Sequence, residues 1–452
     1  MKNITPDKLF SKRIHNYKIK TKKLGLTRYI NLDNAATTPP LKEVEKYVHK
    51  YLSTYGSVHR GAGIKSQIST DIYEQSRQTI KKFTNARKDD YVIYTANTTG
   101  AINTLSYFFS FLPGKIAVSE IEHSSSWLPW IKDEGIKSLG KKRFNLKQLE
   151  KINQTIQISG NKQVIQYRIN DKFEFDLDSI ENLLKRENIK ALILTASSNI
   201  TGYCPPIRKI GKLAKKYNAY FIVDACQYLQ HHKINIKKDG IDFLVASGHK
   251  FYAPYGGGFL IGPKKFLDYF LPYQIGGGNL PYIDQKNRFI RYKNQLAHDP
   301  GTPNAIGAIS MAKALQYITK IGIKNIENYE HNLAVYAYRK LSKNKKIKLY
   351  VSKEHVSTVL PFTIEGKCQK EIAQKLNDDY GIGVREGSFC VYNVIRKLKG
   401  IKNDTKIANE VKKGITKNIP SVIRASISLC NTKKDIDIFI KAINEITNEK
   451  NY

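Results

Sequence analysis

No apolar run in this chain approaches the roughly 20 residues that a membrane-spanning helix needs; the stretch 107–113 falls well short. Cysteine is also scarce. Cys204, Cys226, Cys368, Cys390 and Cys430 show neither CxxC spacing nor a paired His cluster. That argues against a disulfide framework and a structural zinc site, leaves no metal expected, and fits a reducing cytoplasm. Acidic residues are outnumbered, 39 against 75 Lys and Arg, for a formal charge of +36. Charge of that size can attract nucleic acid. The lysines, however, are spread along the chain, and neither an aromatic-interleaved basic motif nor a helix-turn-helix pattern is present. Lys, Ile and Asn are abundant together, as an A/T-rich genome produces without selection for function. Nucleic acid is therefore not expected as a partner, and attraction of an anionic substrate or cofactor is the expected benefit. The first 28 residues are Lys-rich without an apolar h-region, contain Asp7 and have little Ser, so a secretory or transit leader is not expected there. A disordered or loosely packed arm is.

What is present reads as globular: 452 residues, 41% hydrophobic and 11% aromatic, enough for about two domains at roughly 150 residues each. Apolar runs at 91–96, 116–118, 191–196, 220–225 and 243–246 read as fully buried parallel strands. Helical stretches lie between them. In 64–83, Ile64, Ile68, Ile72, Ile80 and Phe83 recur at helical spacing, and 207–217 is Lys-rich on its outer face. The alternation predicts an α/β sheet covered by helices on both sides. Past Pro303 the pattern changes. Ile306, Ile309, Ala312, Leu315 and Ile318 mark a long helix, and a second covers 326–341. Strands at 348–351 and 359–364, a helix at 369–376 and a last helix ending near Ile446 follow. The expected division is an arm at 1–28, a cofactor-binding domain at 29–303 and a smaller α+β domain at 304–452. No internal repeat is evident; the one low-complexity hint is the Lys-rich stretch 396–417.

Chemistry concentrates at Lys250. It directly follows the run 243–246, with Ser247 and His249 before it and Gly256, Gly257 and Gly258 after it. An amine at the mouth of a parallel sheet suits Schiff-base chemistry with an aldehyde cofactor such as pyridoxal phosphate. Such a cofactor also needs a carboxylate at its ring nitrogen, a flat partner for the ring and donors for its phosphate. Asp224 ends the run 220–224, at the carboxyl edge where open α/β sheets bind ligands. Thr98, Thr99 and Gly100 open the helical stretch 101–108, where hydroxyls and N–H groups suit a phosphate. His123 follows the run 116–118 and offers a planar ring. Each residue alone has an ordinary structural reading: a surface lysine, a turn aspartate, a helix cap, a satisfied polar histidine. Their coincidence favours the cofactor reading.

The order of motifs is also informative: Asn31-Leu-Asp-Asn-Ala-Ala-Thr-Thr38, Ser57-Val-His-Arg-Gly61, Thr98-Thr99, Glu122-His123, Asp224-Ala-Cys-Gln227, Ser247-Gly-His-Lys250 and Gly301-Thr-Pro-Asn304. Together, over residues 29–446, they resemble the class V aminotransferase superfamily, and within it the Suf-type cysteine desulfurases. The resemblance implies a fold-type I enzyme of the pyridoxal 5'-phosphate class. Its large domain would hold a mostly parallel seven-stranded sheet, its smaller C-terminal domain would be α+β, and it would be a homodimer. Lys250 would form the Schiff base and shuttle protons, with Asp224 at the ring nitrogen, Gln227 at the phenolic oxygen and His123 stacked on the ring. Thr98, Thr99, Ser247 and His249 would hold the cofactor's phosphate end, joined by Thr302 from the second subunit. Asn199 and Arg424, with Arg385 and His59, would bind the substrate.

Cys390 lies where the family's nucleophile lies, which implies removal of sulfur from L-cysteine, release of L-alanine and a persulfide on Cys390. Two features depart from the family pattern. Glu386 and Ser388-Phe389 replace its usual Thr-Gly-His-His, and the 34 residues from Cys390 to Arg424 are about twice the usual spacing. The Lys-rich insertion responsible reads as a lid, as a dock for an acidic sulfur-acceptor protein, or as a solvated loop. Two other readings stay open: a transaminase or lyase on a small amino acid without a thiol, and a non-catalytic binding module on the same fold.

Overall fold

The computed structural model describes residues 4–138 and 163–449; residues 1–3 of the expected arm lie outside them. Two short helices, Pro6–Leu9 and Lys12–His15, precede a hairpin of β1 (Lys18–Thr21) and β2 (Gly25–Arg28), followed by the short β3 (Ile30–Asn31). Seven strands then form the central sheet: β4 (Tyr91–Thr95), β5 (Lys115–Ser119), β6 (Val164–Tyr167), β7 (Ile189–Thr195), β8 (Tyr220–Asp224), β9 (Phe243–Ser247) and β10 (Gly258–Gly262). Their spatial order is β4-β10-β9-β8-β7-β5-β6. Strands β6, β5, β7, β8 and β9 pair in parallel, and β10 runs against both of its neighbours. The continuous apolar runs have a direct cause. Ala191, Ile193, Ile222, Phe243 and Val245 point to one helical layer with Phe108, Phe109 and Trp130. Leu192, Leu194, Phe221, Val223 and Leu244 point to the other, with Ile210 and Ala214. A sheet buried on both faces has no polar side to alternate with.

The five expected strands are therefore present, but β4, expected as a fully buried parallel strand, lies at the sheet edge, pairs antiparallel with β10 and is half-buried at its end; β6 and β10 are additions. Strand β6 carries Gln166 at the sheet edge, and β10 begins on the last of three consecutive glycines, Gly256 to Gly258. Gly258 has a packing reason: a Cβ there would sit 2.6 Å from Asn97 Cα.

A short exposed hairpin follows, β11 (Tyr282–Ile283) with β12 (Phe289–Ile290). The smaller domain is an antiparallel sheet of β13 (Ile347–Leu349), β14 (Val359–Ile364), β17 (Val422–Ser426) and β16 (Arg385–Gly387), in that spatial order. The two-residue β15 (Ile382–Gly383) pairs in parallel with β3. Helices Ile323–Leu341, Gln369–Tyr380 and Lys433–Asn448 cover this sheet through Leu333, Ile372, Leu376, Ile436 and Phe439. The preceding helix, Ala305–Ile321, packs instead on helices Lys42–Leu52 and Ile64–Thr84, with Met311 and Leu315 in the large core. We propose that the domain division falls inside Ile323–Leu341, where Ile326 joins the large core and Leu333 the small one.

The expected loose arm is corrected. Leu9 and Phe10 are buried in the large core. Arg28 pairs with Asp435 at the start of the last helix, and the backbone N–H of Lys22 donates to Asp378 O at 2.8 Å. Apolar anchors and long-range pairing order a segment whose local sequence looks like a lysine-rich tail. The insertion 396–417 contains a helix, Thr405–Lys412, with no buried residue. It follows helix Tyr392–Leu398, which buries Val394, Ile395 and Leu398.

Candidate active site

The carboxyl ends of β4, β7, β8 and β9 meet the loop after β16 around one cavity of about 270 Å³. Lys250, His123, Asp224, Gln227, Ser247 and His249 line it, as do Thr98, Thr99, Asn199, Arg385, Cys390 and Arg424. Twelve of the fourteen residues singled out from the sequence therefore face one volume. The cause is topological, since strand ends in a parallel sheet converge on one edge.

At one end, Thr98 and Ser247 interlock: the Thr98 N–H donates to Ser247 Oγ at 2.7 Å, and their hydroxyl oxygens are 2.9 Å apart. Thr99 Oγ1 donates to Ser125 Oγ at 2.8 Å. The cap of helix Thr98–Ser110 is Asn97, whose Oδ1 accepts from Gly100 N at 3.0 Å. Thus a helix N-terminus, hydroxyls and the His249 imidazole face the same space, a donor set suited to a phosphate.

Toward the sheet lies Asp224, buried. Its Oδ2 accepts from Ser126 Oγ at 2.5 Å and its Oδ1 from Cys226 N at 2.9 Å. Gln227 Nε2 donates to Ala35 O at 2.5 Å, which turns the amide toward the N-terminal motif. Burial pushes the His123 imidazole down to about 4, helped by the Lys250 ammonium. The same two causes bring His249 to about 4, so both rings are neutral at physiological pH. Behind His123, burial and the Asp224 carboxylate push the Glu122 carboxyl up to about 8.

Arg424 closes the other side and is 2% exposed. Its Nη2 donates to Asp33 Oδ1 at 2.8 Å and its Nη1 to Asn199 O at 3.1 Å. The guanidinium sits 4.6 Å from the Phe389 ring centroid, while its Nε is buried without a partner among the described residues. A buried guanidinium on a cavity wall, with one donor left unsatisfied among the described residues, suits an anionic ligand group. Arg385 Nη1 approaches the other Asp33 oxygen at 3.9 Å.

Cys390 is exposed to this cavity. Phe389 and Cys390 both take left-handed backbone angles, φ 53° and 58°, a conformation that costs about 1–3 kcal/mol per non-glycine residue and gathers at functional sites. The turn is held from outside. Ser124 N and Oγ both donate to Cys390 O at 2.8 Å, and Asn199 Nδ2 donates to Phe389 O at 3.1 Å. A second thiol lines the cavity, Cys226, but burial and Asp224 push it up to about 11, so it stays protonated.

His59 and Thr302 are not brought to this cavity. His59 Nε2 lies 2.9 Å from Glu74 Oε1, and Thr302 is exposed. The two share one surface, because Arg60 donates to Gly301 O. His59, Glu74 and Asp299 place their ligand atoms within 4.8 Å of one another, but the Arg77 guanidinium bonds both carboxylates and offsets part of their charge. Sequence reasoning gave no role to Asp33, Asn97, Ser125 or Ser126. Asp33 stands inside a quoted motif and the serines directly follow His123, so position was the only available signal.

An amine at the sheet edge, a buried carboxylate, a neutral planar imidazole and a phosphate-type cradle define a pyridoxal-phosphate enzyme. The orphaned Arg424 Nε and the donor set fit that cofactor with an amino acid bound to it. A sequence model of aminotransferase class V matches residues 30–137 and 150–439, and the chain belongs to that family, whose cofactor is pyridoxal 5'-phosphate. A cysteine desulfurase of Wigglesworthia glossinidia brevipalpis is 30% identical over 434 residues, 95% of each chain. A probable cysteine desulfurase of Synechocystis is 29% identical over 422 residues, 92% of this chain and 90% of that one. Among solved structures, an apo cysteine desulfurase from Thermococcus onnurineus matches with TM-score 0.77 at 27% identity, covering 93% of this chain and 94% of that one.

Proposed function

We propose that the protein is a cysteine desulfurase that takes sulfur from L-cysteine onto Cys390 and releases L-alanine. The observation that carries this reading is the contrast between the two cavity thiols. Cys226 is buried and held protonated, whereas Cys390 is exposed on a strained turn pinned by Ser124 and Asn199. A transaminase or lyase would need no exposed thiol there.

Bound pyridoxal phosphate supplies an electron sink for bonds at the substrate α-carbon. Lys250 is the amine that would hold it and move protons at that carbon. Asp224, kept in place by Ser126, would hold a proton at the ring nitrogen; Gln227 would meet the phenolic oxygen and the neutral His123 would cover the ring face. Thr98, Thr99, Ser247 and His249 would bind the phosphate. Arg424 and Asn199 would fix the substrate carboxylate, with Arg385 at the rim. Cys390 Sγ, as thiolate, would attack the substrate sulfur; the new S–S bond forms as the substrate C–S bond breaks, and the carbon takes up a proton.

A homodimer would bring His59 and Thr302 of one protomer, which lie together at the surface, toward the cavity of its partner. Exposed Tyr269, Leu271, Tyr273, Ile275, Phe289 and Ile290 supply an apolar face for that contact. The exposed lysines within 399–417 would suit an acidic sulfur-acceptor protein. Five unpaired cysteines among the described residues fit a reducing cytoplasm, and among those residues no helix is long and apolar enough to cross a membrane.

Alanine release from L-cysteine under a reductant tests the reaction. Wild type should release alanine, and Cys390→Ala should lose at least a hundredfold while keeping its bound cofactor. Alanine formation at the wild-type rate by Cys390→Ala would refute the thiol's role; none from either protein would favour the transaminase or lyase reading.

A further inference from the structure

On the far side of Ser197, which borders both volumes, lies a second cavity of about 390 Å³ that none of the chemistry above uses. Cys204, His232, Glu327, His355 and Thr358 line it. That volume lies within the usual range of small-molecule sites, about 300–1,000 Å³. Cys204 is exposed and sits on the loop that also carries Asn199. Its Sγ donates to Gly202 O at 3.6 Å, and on the same cavity wall the thiol is close enough to the His232 imidazole to raise its pKa. His232 Nδ1 is held 3.1 Å from Glu327 Oε1, and Glu327 Oε2 accepts from Lys324 Nζ at 3.1 Å. The result is a line: thiol, imidazole, carboxylate.

A thiol–imidazole pair oriented by a carboxylate is the arrangement that makes a cysteine nucleophilic. It is not the geometry of a chelate. Among the described residues the group whose ligand atoms all lie within 4.8 Å of one another is His59, Glu74 and Asp299, elsewhere in the fold.

We propose that Cys204, His232 and Glu327 form a second thiol site, separate from Cys390, that reacts with small anionic disulfides of the glutathione type. His232 takes the proton from Cys204 Sγ. The thiolate attacks one sulfur of the disulfide, a Cys204–S–S–R bond forms, and the original S–S bond breaks. The released RS⁻ takes the electron pair and is protonated by water or by His232. No further oxidant is needed. His231 and His355 are held by Glu330 and Glu174, and His331 on the same wall offers a ring N–H to a ligand carboxylate.

Several groups set the charge on His232. Burial alone would lower it, but Cys204 and Glu327 outweigh burial and raise it to about 10. The Tyr228 ring packs on it at 4.8 Å between centroids, and the His231 ring lies 6.1 Å away. His231 is itself bonded to Glu330 at 2.6 Å, and His355 pairs with Glu174 at 3.0 Å. Below pH 10 the imidazolium therefore persists beside Cys204 and Glu327.

The test is glutathione disulfide added to the full-length holoenzyme, with the adduct rate followed by intact mass and its position by peptide mapping. In wild type the adduct should form on Cys204, at a rate nearly flat from pH 6.5 to 8.5. A free thiol with pKa of about 8.5 would instead gain close to tenfold per pH unit at the lower end. His232→Gln should slow the reaction at pH 6.5 at least tenfold and restore that slope, and Glu327→Gln should fall between. A steep pH dependence in wild type, an unchanged rate in His232→Gln, or first labelling at Cys368 or Cys390 would overturn the proposal. The wild-type profile alone decides the matter if a variant misfolds.

Discussion

Arg424 shows how much one side chain is asked to do. It is buried, shares its fork between Asp33 and Asn199, and packs on Phe389, the residue before the exposed thiol. It thus links the substrate's expected carboxylate to the turn carrying Cys390. Lysine would keep the charge and lose the fork. Arg424→Lys should raise KM for L-cysteine about tenfold, equivalent to ~1.4 kcal/mol, and lower kcat less. Steady-state kinetics check this, and an unchanged KM would remove Arg424 from substrate binding. At this scale the sequence was informative where a residue's chemical type and strand-end position sufficed, as for Lys250, Asp224 and Cys390. Asp33, Ser126 and Asn97 were opaque because their roles are relations: each matters for the group it holds, and those groups lie up to several hundred residues away.

Among the elements, the buried strands were legible because two apolar faces leave one signature. Strand β10 was not, because its glycines serve an approach between backbones that no periodicity encodes. That approach predicts an effect. A Cβ at Gly258 would press on Asn97 Cα, C and N at 2.6–2.9 Å, and Asn97 caps the helix whose first turn faces the phosphate site. Gly258→Ala should fold yet release pyridoxal phosphate at least tenfold more readily, read from cofactor absorbance after dialysis; full retention would show that the turn yields without consequence. The insertion 396–417 was visible only as lysines. Its helix places Ile407 and Val411 one turn apart but buries neither, so that spacing predicts no packing here, while Val394, Ile395 and Leu398 in the helix before it anchor the segment.

For the molecule as a whole, buried histidines set the acid limit. Burial holds His123, His249 and His298 at about 4, below the unfolded value of about 6.5. Their stability contribution is fully present above pH 6.5 and is lost as pH falls toward 4, because the unfolded chain binds those protons first. Denaturant midpoints should drop over that window and level off below it; a flat profile would mean that these rings are solvated. The apolar face around Tyr269 to Ile290 carries the other whole-molecule expectation: sedimentation should report twice the 51.6 kDa chain, and a monomer would leave His59 and Thr302 without a cavity to complete.

The pairing of β3 with β15 also bears on how the molecule comes into being. On the ribosome, Ile30 waits for Ile382, about 350 residues later, or roughly 20–70 s at usual elongation rates. Leu26, which stays exposed even in the finished fold, and the unpaired edge of β3 stand open throughout that interval. Strand β3 is thus made long before it can be secured, and until β15 arrives the nascent chain is open there to chaperone capture or misassembly.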